Sequence, residues 1–433
     1  MRTLPTRNKL LLSKASWLLL GLLILIACAP NTTPTPEVSR LASPTPRLPQ
    51  TCTASVPSAT ANQSMLGVIS YATAEGVFDA GGWPAQTHQL VAWDVNEISP
   101  RLIGFSPNGQ WLAYVTYASF GGSSYDIHLL SATGESLTNK LDLTKIISSE
   151  VSLVALTEGH WINNEMLLLS IHDPEFYEQY RADKLAILNP FTDEWSRILD
   201  YLPQRELGSN VAISPALDRI LYFYATTDPA WERELVLWDI DSKKALWRNG
   251  EMSLTSRFLS RGALIAAWSP DNTQLAFVGP EPMDENFEYD HDGVYIFDLD
   301  IQEPRLVTDF LSRYEAFTTK GLAWSLDGRY LAFVVEYYKR NLSGEISNQI
   351  YLYDLLTEQL VDLCPLLGDS INTTSHALIW SPDSRSIAYS TAYSAGENAG
   401  KPRSLILVDI YTGKMITLVE NAGTLGGWSE VFQ

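Results

Sequence analysis

Ala267-Trp-Ser-Pro-Asp-Asn-Thr-Gln-Leu-Ala-Phe277 decides the fold, because the chain repeats it. Close copies are Gly104-Phe-Ser-Pro-Asn-Gly-Gln-Trp-Leu-Ala-Tyr114, Ala323-Trp-Ser-Leu-Asp-Gly-Arg-Tyr-Leu-Ala-Phe333 and Ile379-Trp-Ser-Pro-Asp-Ser-Arg-Ser-Ile-Ala-Tyr389. Weaker copies begin at His160 and Ala212. The second residues of the copies are Phe105, Trp161, Ile213, Trp268, Trp324 and Trp380, spaced by 56, 52, 55, 56 and 56 residues. Self-similarity at such a period marks a repeat architecture. Within each copy, Ser-Pro-Asp-Gly chemistry makes a tight turn: proline presets φ, aspartate bonds nearby backbone, and glycine tolerates positive φ. Apolar runs of four to six residues flank the turn, as strands do.

A second phrase follows each copy, a strand ending in Asp or a small polar residue before a turn; examples are Leu235-Val-Leu-Trp-Asp239, Val294-Tyr-Ile-Phe-Asp298, Ile350-Tyr-Leu-Tyr-Asp354 and Leu405-Ile-Leu-Val-Asp409. Each repeat therefore reads as four antiparallel strands, lettered A to D from the repeat's start. They are joined by a short A–B turn, a variable B–C loop and a C–D turn. Such units at a fixed period are propeller blades. Gly426-Gly-Trp-Ser-Glu-Val431 reads as a strand A with nothing behind it. Gly67-Val-Ile-Ser-Tyr71 reads as a strand B, and Gln89-Leu-Val-Ala-Trp-Asp94 as a strand C, with no strand A before them. Together the fragments complete a seventh blade. The expected fold is all-β: a seven-bladed β-propeller of four-stranded antiparallel blades, closed by N- and C-terminal strands sharing one blade. Closure would remove exposed sheet edges.

The Trp-Ser-Pro-Asp motifs at Trp268 and Trp380, the Leu-Ala-Phe strands and the Asp-ending strands resemble the TolB-like, WD-type propeller family of bacteria. The resemblance covers residues 65–433 and implies the fold, with little about function. No counterpart is expected for the helical domain that accompanies the propeller in TolB.

The N-terminus has a different grammar. Arg2, Arg7, Lys9 and Lys14 precede an apolar run from Trp17 to Ala27. A basic segment followed by a short apolar one is a signal-peptide pattern. The run ends Leu25-Ile-Ala-Cys28, which resembles the lipobox of bacterial lipoproteins. The resemblance implies cleavage before Cys28, diacylglycerol on its sulfur, and localisation at a bacterial membrane, facing outside the cytoplasm. Residues 29–62 are dominated by Thr, Pro, Ser and Ala, a composition that cannot offset ordering entropy. The expected organisation is signal peptide 1–27, lipidated cysteine with a disordered linker 28–64, and propeller 65–433.

The 433-residue chain has a net charge of −20. Removing residues 1–27 leaves 26 basic against 50 acidic side chains, a net −24. Such a surface excludes nucleic acid as a partner and tolerates cationic ones. The three cysteines form no CxxC or Cys/His pattern, which argues against zinc. Lipidation of Cys28 leaves Cys52 and Cys364 either paired with each other or free.

No G-x-S-x-G elbow is present, so the serine-hydrolase chemistry that accompanies some propellers is not expected. Ligand-face candidates are the aromatic residues assigned to the B–C loops: Trp83, Phe120, Phe176, Tyr177, Tyr180, Trp231, Phe287, Tyr289, Tyr337 and Tyr338. Phe78, Tyr125 and Tyr393 are expected in the same loops. Rings beside carboxylates suit a glycan or a basic peptide. No cofactor is expected, apart from one candidate site in which Asp284, Glu288, Asp290 and Asp292 offer carboxylate oxygens to Ca²⁺. The sequence thus points to a membrane-anchored binding or scaffolding module for a protein, peptide or glycan. The alternatives are a propeller-based enzyme acting on envelope or extracellular glycans, and an accessory component of an envelope assembly.

Overall fold

A computed structural model describes residues 53–54, 65–82, 85–93, 101–117, 124–143, 155–172, 185–198, 201–202, 207–225, 233–248, 264–280, 292–308, 317–337, 347–365, 370–371, 378–392 and 403–432. Its strands, in chain order, are β1 (Thr53–Ala54), β2 (Val68–Ala72), β3 (Gly76–Gly81) and β4 (Gln86–Ala92). The first complete blade follows: β5 (Arg101–Phe105), β6 (Trp111–Tyr117), β7 (Ser124–Ser131) and β8 (Ser136–Asp142). The second is β9 (Ala155–Trp161), β10 (Leu167–His172), β11 (Leu185–Asn189) and β12 (Glu194–Arg197). The third is β13 (Leu207–Ile213), β14 (Arg219–Ala225), β15 (Arg233–Asp239) and β16 (Lys244–Arg248). The fourth is β17 (Ala266–Trp268), β18 (Gln274–Pro280), β19 (Asp292–Asp298) and β20 (Glu303–Leu306). The fifth is β21 (Phe317–Trp324), β22 (Tyr330–Tyr337), β23 (Ser347–Asp354) and β24 (Gln359–Pro365). The sixth is β25 (Ser370–Ile371) with β26 (Ile379–Trp380), then β27 (Ser386–Ala392), β28 (Ser404–Asp409) and β29 (Lys414–Glu420). Last comes β30 (Leu425–Ser429).

Seven antiparallel blades form a ring, a seven-bladed β-propeller. The seventh blade runs β30-β2-β3-β4, so both ends of the ring share it as expected. Trp428 lies opposite Ile69, and its indole donates to the Leu66 carbonyl (2.7 Å). The Ser429 hydroxyl donates across to the Gly109 carbonyl in the first blade (2.8 Å). Gly104 has φ +111°, and a Cβ there would meet the Gly426 carbonyl oxygen. The first inner strand can therefore lie against the last one only because residue 104 is glycine.

One assignment within this blade differs from expectation. The sequence leads one to expect strand C at Gln89–Asp94, but β3 is strand C, and residues 86–92 form strand D. β3 carries no strand-like pattern in the sequence, because it begins with Gly76, ends with Gly81 and holds an acid, Asp79. The acid is nonetheless buried, with the His88 ring nitrogen Nδ1 3.0 Å away and the His88 backbone N–H donating to it (3.2 Å). The linker reading also changes. Thr53–Ala54, expected to be disordered, form β1, which pairs in parallel with Lys414–Met415 of β29.

The repeated motif has a job in each blade. In the fifth, the Ser325 hydroxyl donates to Asp327 (2.6 Å) and accepts the Tyr330 N–H (2.8 Å). Ser269 and Ser381 do the same in their turns. The motif tryptophans join blades. Trp161 donates to the Gly104 carbonyl, Trp324 to Ala267 and Trp380 to Ala323, each on the preceding inner strand. The core sits between neighbouring blades. For example, Ala276, Val294 and Ile296 of the fourth pack with Phe333, Tyr351 and Tyr353 of the fifth.

Candidate functional site

The two rims of the ring are built differently. Up-and-down strands place A–B and C–D turns on one rim, and B–C and D–A connections on the other. The A–B turns span 106–110, 162–166, 214–218, 269–273, 325–329 and 381–385, five residues each. The C–D turns span 82–85, 132–135, 190–193, 240–243, 299–302, 355–358 and 410–413, four residues each. Uniform length follows from uniform local chemistry. Asp298 accepts the backbone N–H groups of Asp300 and Ile301, and Asp409 those of Tyr411 and Thr412. By contrast, the B–C connections run from three residues (73–75) to twelve (173–184). A rigid scaffold with variable loops on one rim is where binding sites are usually placed.

Most ligand-face candidates fall in these variable connections but outside the described residues: Phe120, Phe176, Tyr177, Tyr180, Trp231, Phe287, Tyr289 and Tyr338. Tyr337 is the last residue of β22, and its side chain is not described. Three assignments change. Trp83 belongs to the C–D connection between β3 and β4, not to a B–C loop. Phe78 lies in β3 and stacks on Tyr71 with centroids 5.7 Å apart. Tyr125 lies in β7, is buried, and its hydroxyl accepts the Leu156 N–H (2.8 Å). Tyr393 lies outside the described residues, as does Cys28. The same holds for Asp284, Glu288 and Asp290, while Asp292 opens β19 with its side chain not described. Among the described residues, no three His, Cys, Asp or Glu side chains gather as metal ligands.

The described roots of the variable rim carry buried polar groups that the sequence reading missed. Lys320 on β21 and Glu336 on β22 form an ion pair of 2.7 Å, with the glutamate side chain only 6% exposed. Glu336 immediately precedes Tyr337 and Tyr338. Thr116, near the end of β6, contacts His128 Nε2 (2.8 Å), whose Nδ1 lies 3.0 Å from Thr138. The His128 ring stacks on Tyr114. Burial pushes His128 below the ordinary histidine range, and the Asp126 charge works against that shift. Tyr71 of the seventh blade, packed toward the sixth, is raised by burial and by the Asp79 charge. No periodicity announces these pairs. Their partners lie on adjacent strands of one blade, and only the strand register brings them together.

The fold and the rim asymmetry define a seven-bladed propeller with one constant and one variable face. Solved structures with similar folds share little sequence. The putative TolB of Agrobacterium tumefaciens is 14% identical over 85% of this chain and 96% of that one, with a TM-score of 0.36. An oligogalacturonate lyase of Vibrio parahaemolyticus is 11% identical over 83% and 86%, with a TM-score of 0.47. Tricorn protease is 13% identical over 80% of this chain, with a TM-score of 0.43, and this chain spans 34% of its length. No family model and no curated protein sequence matches the chain.

Proposed function

We propose that the protein is a membrane-anchored, extracytoplasmic lipoprotein whose propeller binds or scaffolds a protein, peptide or glycan through its variable rim. The observation that carries the reading is the contrast between the rims: invariant turns on one side and B–C connections of three to twelve residues on the other. Local hydrogen bonds hold the turns of one rim to a single length, which leaves the other rim as the place where a rigid scaffold can carry a binding surface. The lipobox-like Leu25-Ile-Ala-Cys28 supports the anchoring part, and the net negative charge favours cationic or neutral ligands.

The test has two arms. Mass spectrometry of the membrane fraction should find acyl chains on Cys28, and Cys28→Ser should leave an uncleaved precursor. An unacylated Cys28 overturns the anchoring. The purified ring, applied to arrays of glycans and basic peptides, should retain a ligand without altering it. Conversion of a bound glycan would replace this reading with that of a propeller enzyme. Recovery only as a fixed member of an envelope complex would make it an assembly component.

A further inference from the structure

We infer that Cys52 is the disulfide partner of Cys364, and that this bond and β1 together clamp the stalk to the outer flank of the ring between the fifth and sixth blades. Cys364 is fully buried near the end of β24, opposite Ile350, and it is disulfide-bonded. The chain offers two other cysteines, Cys28 and Cys52. Cys52 itself lies outside the described residues, but its neighbour Thr53 does not: Thr53 is in register with Lys414, and Ala54 with Met415. Met415 and Cys364 belong to one apolar cluster shared by the two blades. The strand pairing therefore sets Thr53, the residue that follows Cys52 in the chain, beside the strand whose Met415 shares a cluster with Cys364. Cys28 lies 24 residues further upstream. As an acylated thioether it would have no S–H to give up.

The chemistry closes without a metal. The two thiols lose two protons and two electrons as the S–S bond forms. The acceptor is a disulfide, either of low molecular weight or in a dithiol oxidoreductase, and it leaves as two thiols. The consequence deepens the membrane-anchored reading and, in this part alone, rests on it. The free tether is then residues 28–52 rather than the whole linker 28–64, at most about 90 Å when extended. It joins the ring on its flank, so neither rim has to carry it.

Tryptic digestion of the unreduced, alkylated full chain should yield peptide 48–101 joined to 341–385, separating on reduction. Alkylation of both cysteines without reduction, or a link from Cys364 to any other peptide, overturns the inference. A protease site inserted within residues 55–64 gives the functional readout. After cleavage, the N-terminal fragment should stay covalently attached to the ring until reductant is added. In Cys52→Ser it should come away at once. If the wild-type fragment also separates without reductant, the clamp is wrong. If the uncleaved protein never reaches the membrane but the linked peptide is found, the anchoring fails and the disulfide stands.

Discussion

The Asp354 carboxylate closes strand C of the fifth blade, where it meets the Arg329 guanidinium (2.8 and 3.3 Å) and the Leu356 N–H (2.9 Å). Burial alone would raise its pKa. The hydrogen bonds from Arg329 and the backbone outweigh that and hold it below the ordinary carboxylate range. Asp409 is lowered by the same balance, with Arg385 as its partner. A depressed folded-state pKa contributes stability above the unfolded value, about pH 4, and loses it as pH falls through the folded value. Arg329→Ala should therefore cost about 1–3 kcal/mol at neutral pH. Thermal melts from pH 7 down to pH 2 should show that penalty shrinking below pH 4. A penalty independent of pH would remove the ion pair from the account. A second site concerns backbone strain. Lys243 sits in a C–D turn with φ +53°, where Gly413 occupies the matching turn of the sixth blade at φ +66°. A left-handed conformation costs a residue with a Cβ about 1–2 kcal/mol, partly offset by the entropy of glycine. Lys243→Gly should raise the melting temperature and Gly413→Ala lower it. Equal melting temperatures for wild type and both variants would refute the strain argument.

The elements were legible to different degrees, for physical reasons. Strands A and B of five blades could be located because Ser106, Ser214, Ser269, Ser325 and Ser381 each organise the same turn, and a turn constrains contiguous residues. The Asp-ending strands C were readable for the same reason. β3 was not, because its buried Asp79 is tolerated through His88, nine residues away on the next strand. Lys320 and Glu336 were equally hidden, since their pairing depends on the register of β21 against β22. The motif tryptophans could be counted in the sequence, but their task between blades could not. That task makes a graded prediction. Trp324 donates to the Ala267 carbonyl, whereas the buried Trp268 indole nitrogen has no hydrogen-bond partner among the described residues. Replacing each with Phe removes part of a ring in both cases but a hydrogen bond in only one. Trp324→Phe should cost about 1 kcal/mol more than Trp268→Phe in chemical denaturation. The reverse order would mean that the indole bonds do not hold the blades together.

At the scale of the whole molecule, closure and asymmetry carry the account. β30 supplies the inner strand of the seventh blade and meets β2 from the far end of the chain. Removing residues 425–433 should strip that blade of its inner strand, expose an edge of β2, and abolish a single cooperative thermal transition. A truncated ring that melts like the intact one would show that the ring does not depend on this closure. The asymmetry bears on function. Exposed Leu326 and Leu356 sit in turns of the constant rim, while Tyr337 and Tyr338 lead into a nine-residue connection, 338–346, of the variable one. The central claim is that the variable rim binds. The direct measurement is the affinity of the ring for its array-identified ligand in two double variants, Tyr337→Ala with Tyr338→Ala and Leu326→Ala with Leu356→Ala, each checked for an unchanged melting temperature. The account predicts a loss of about tenfold or more, roughly 1.4 kcal/mol, in the tyrosine variant and none in the leucine variant. Full affinity in the tyrosine variant with binding lost in the leucine variant would place the site on the constant rim and contradict it.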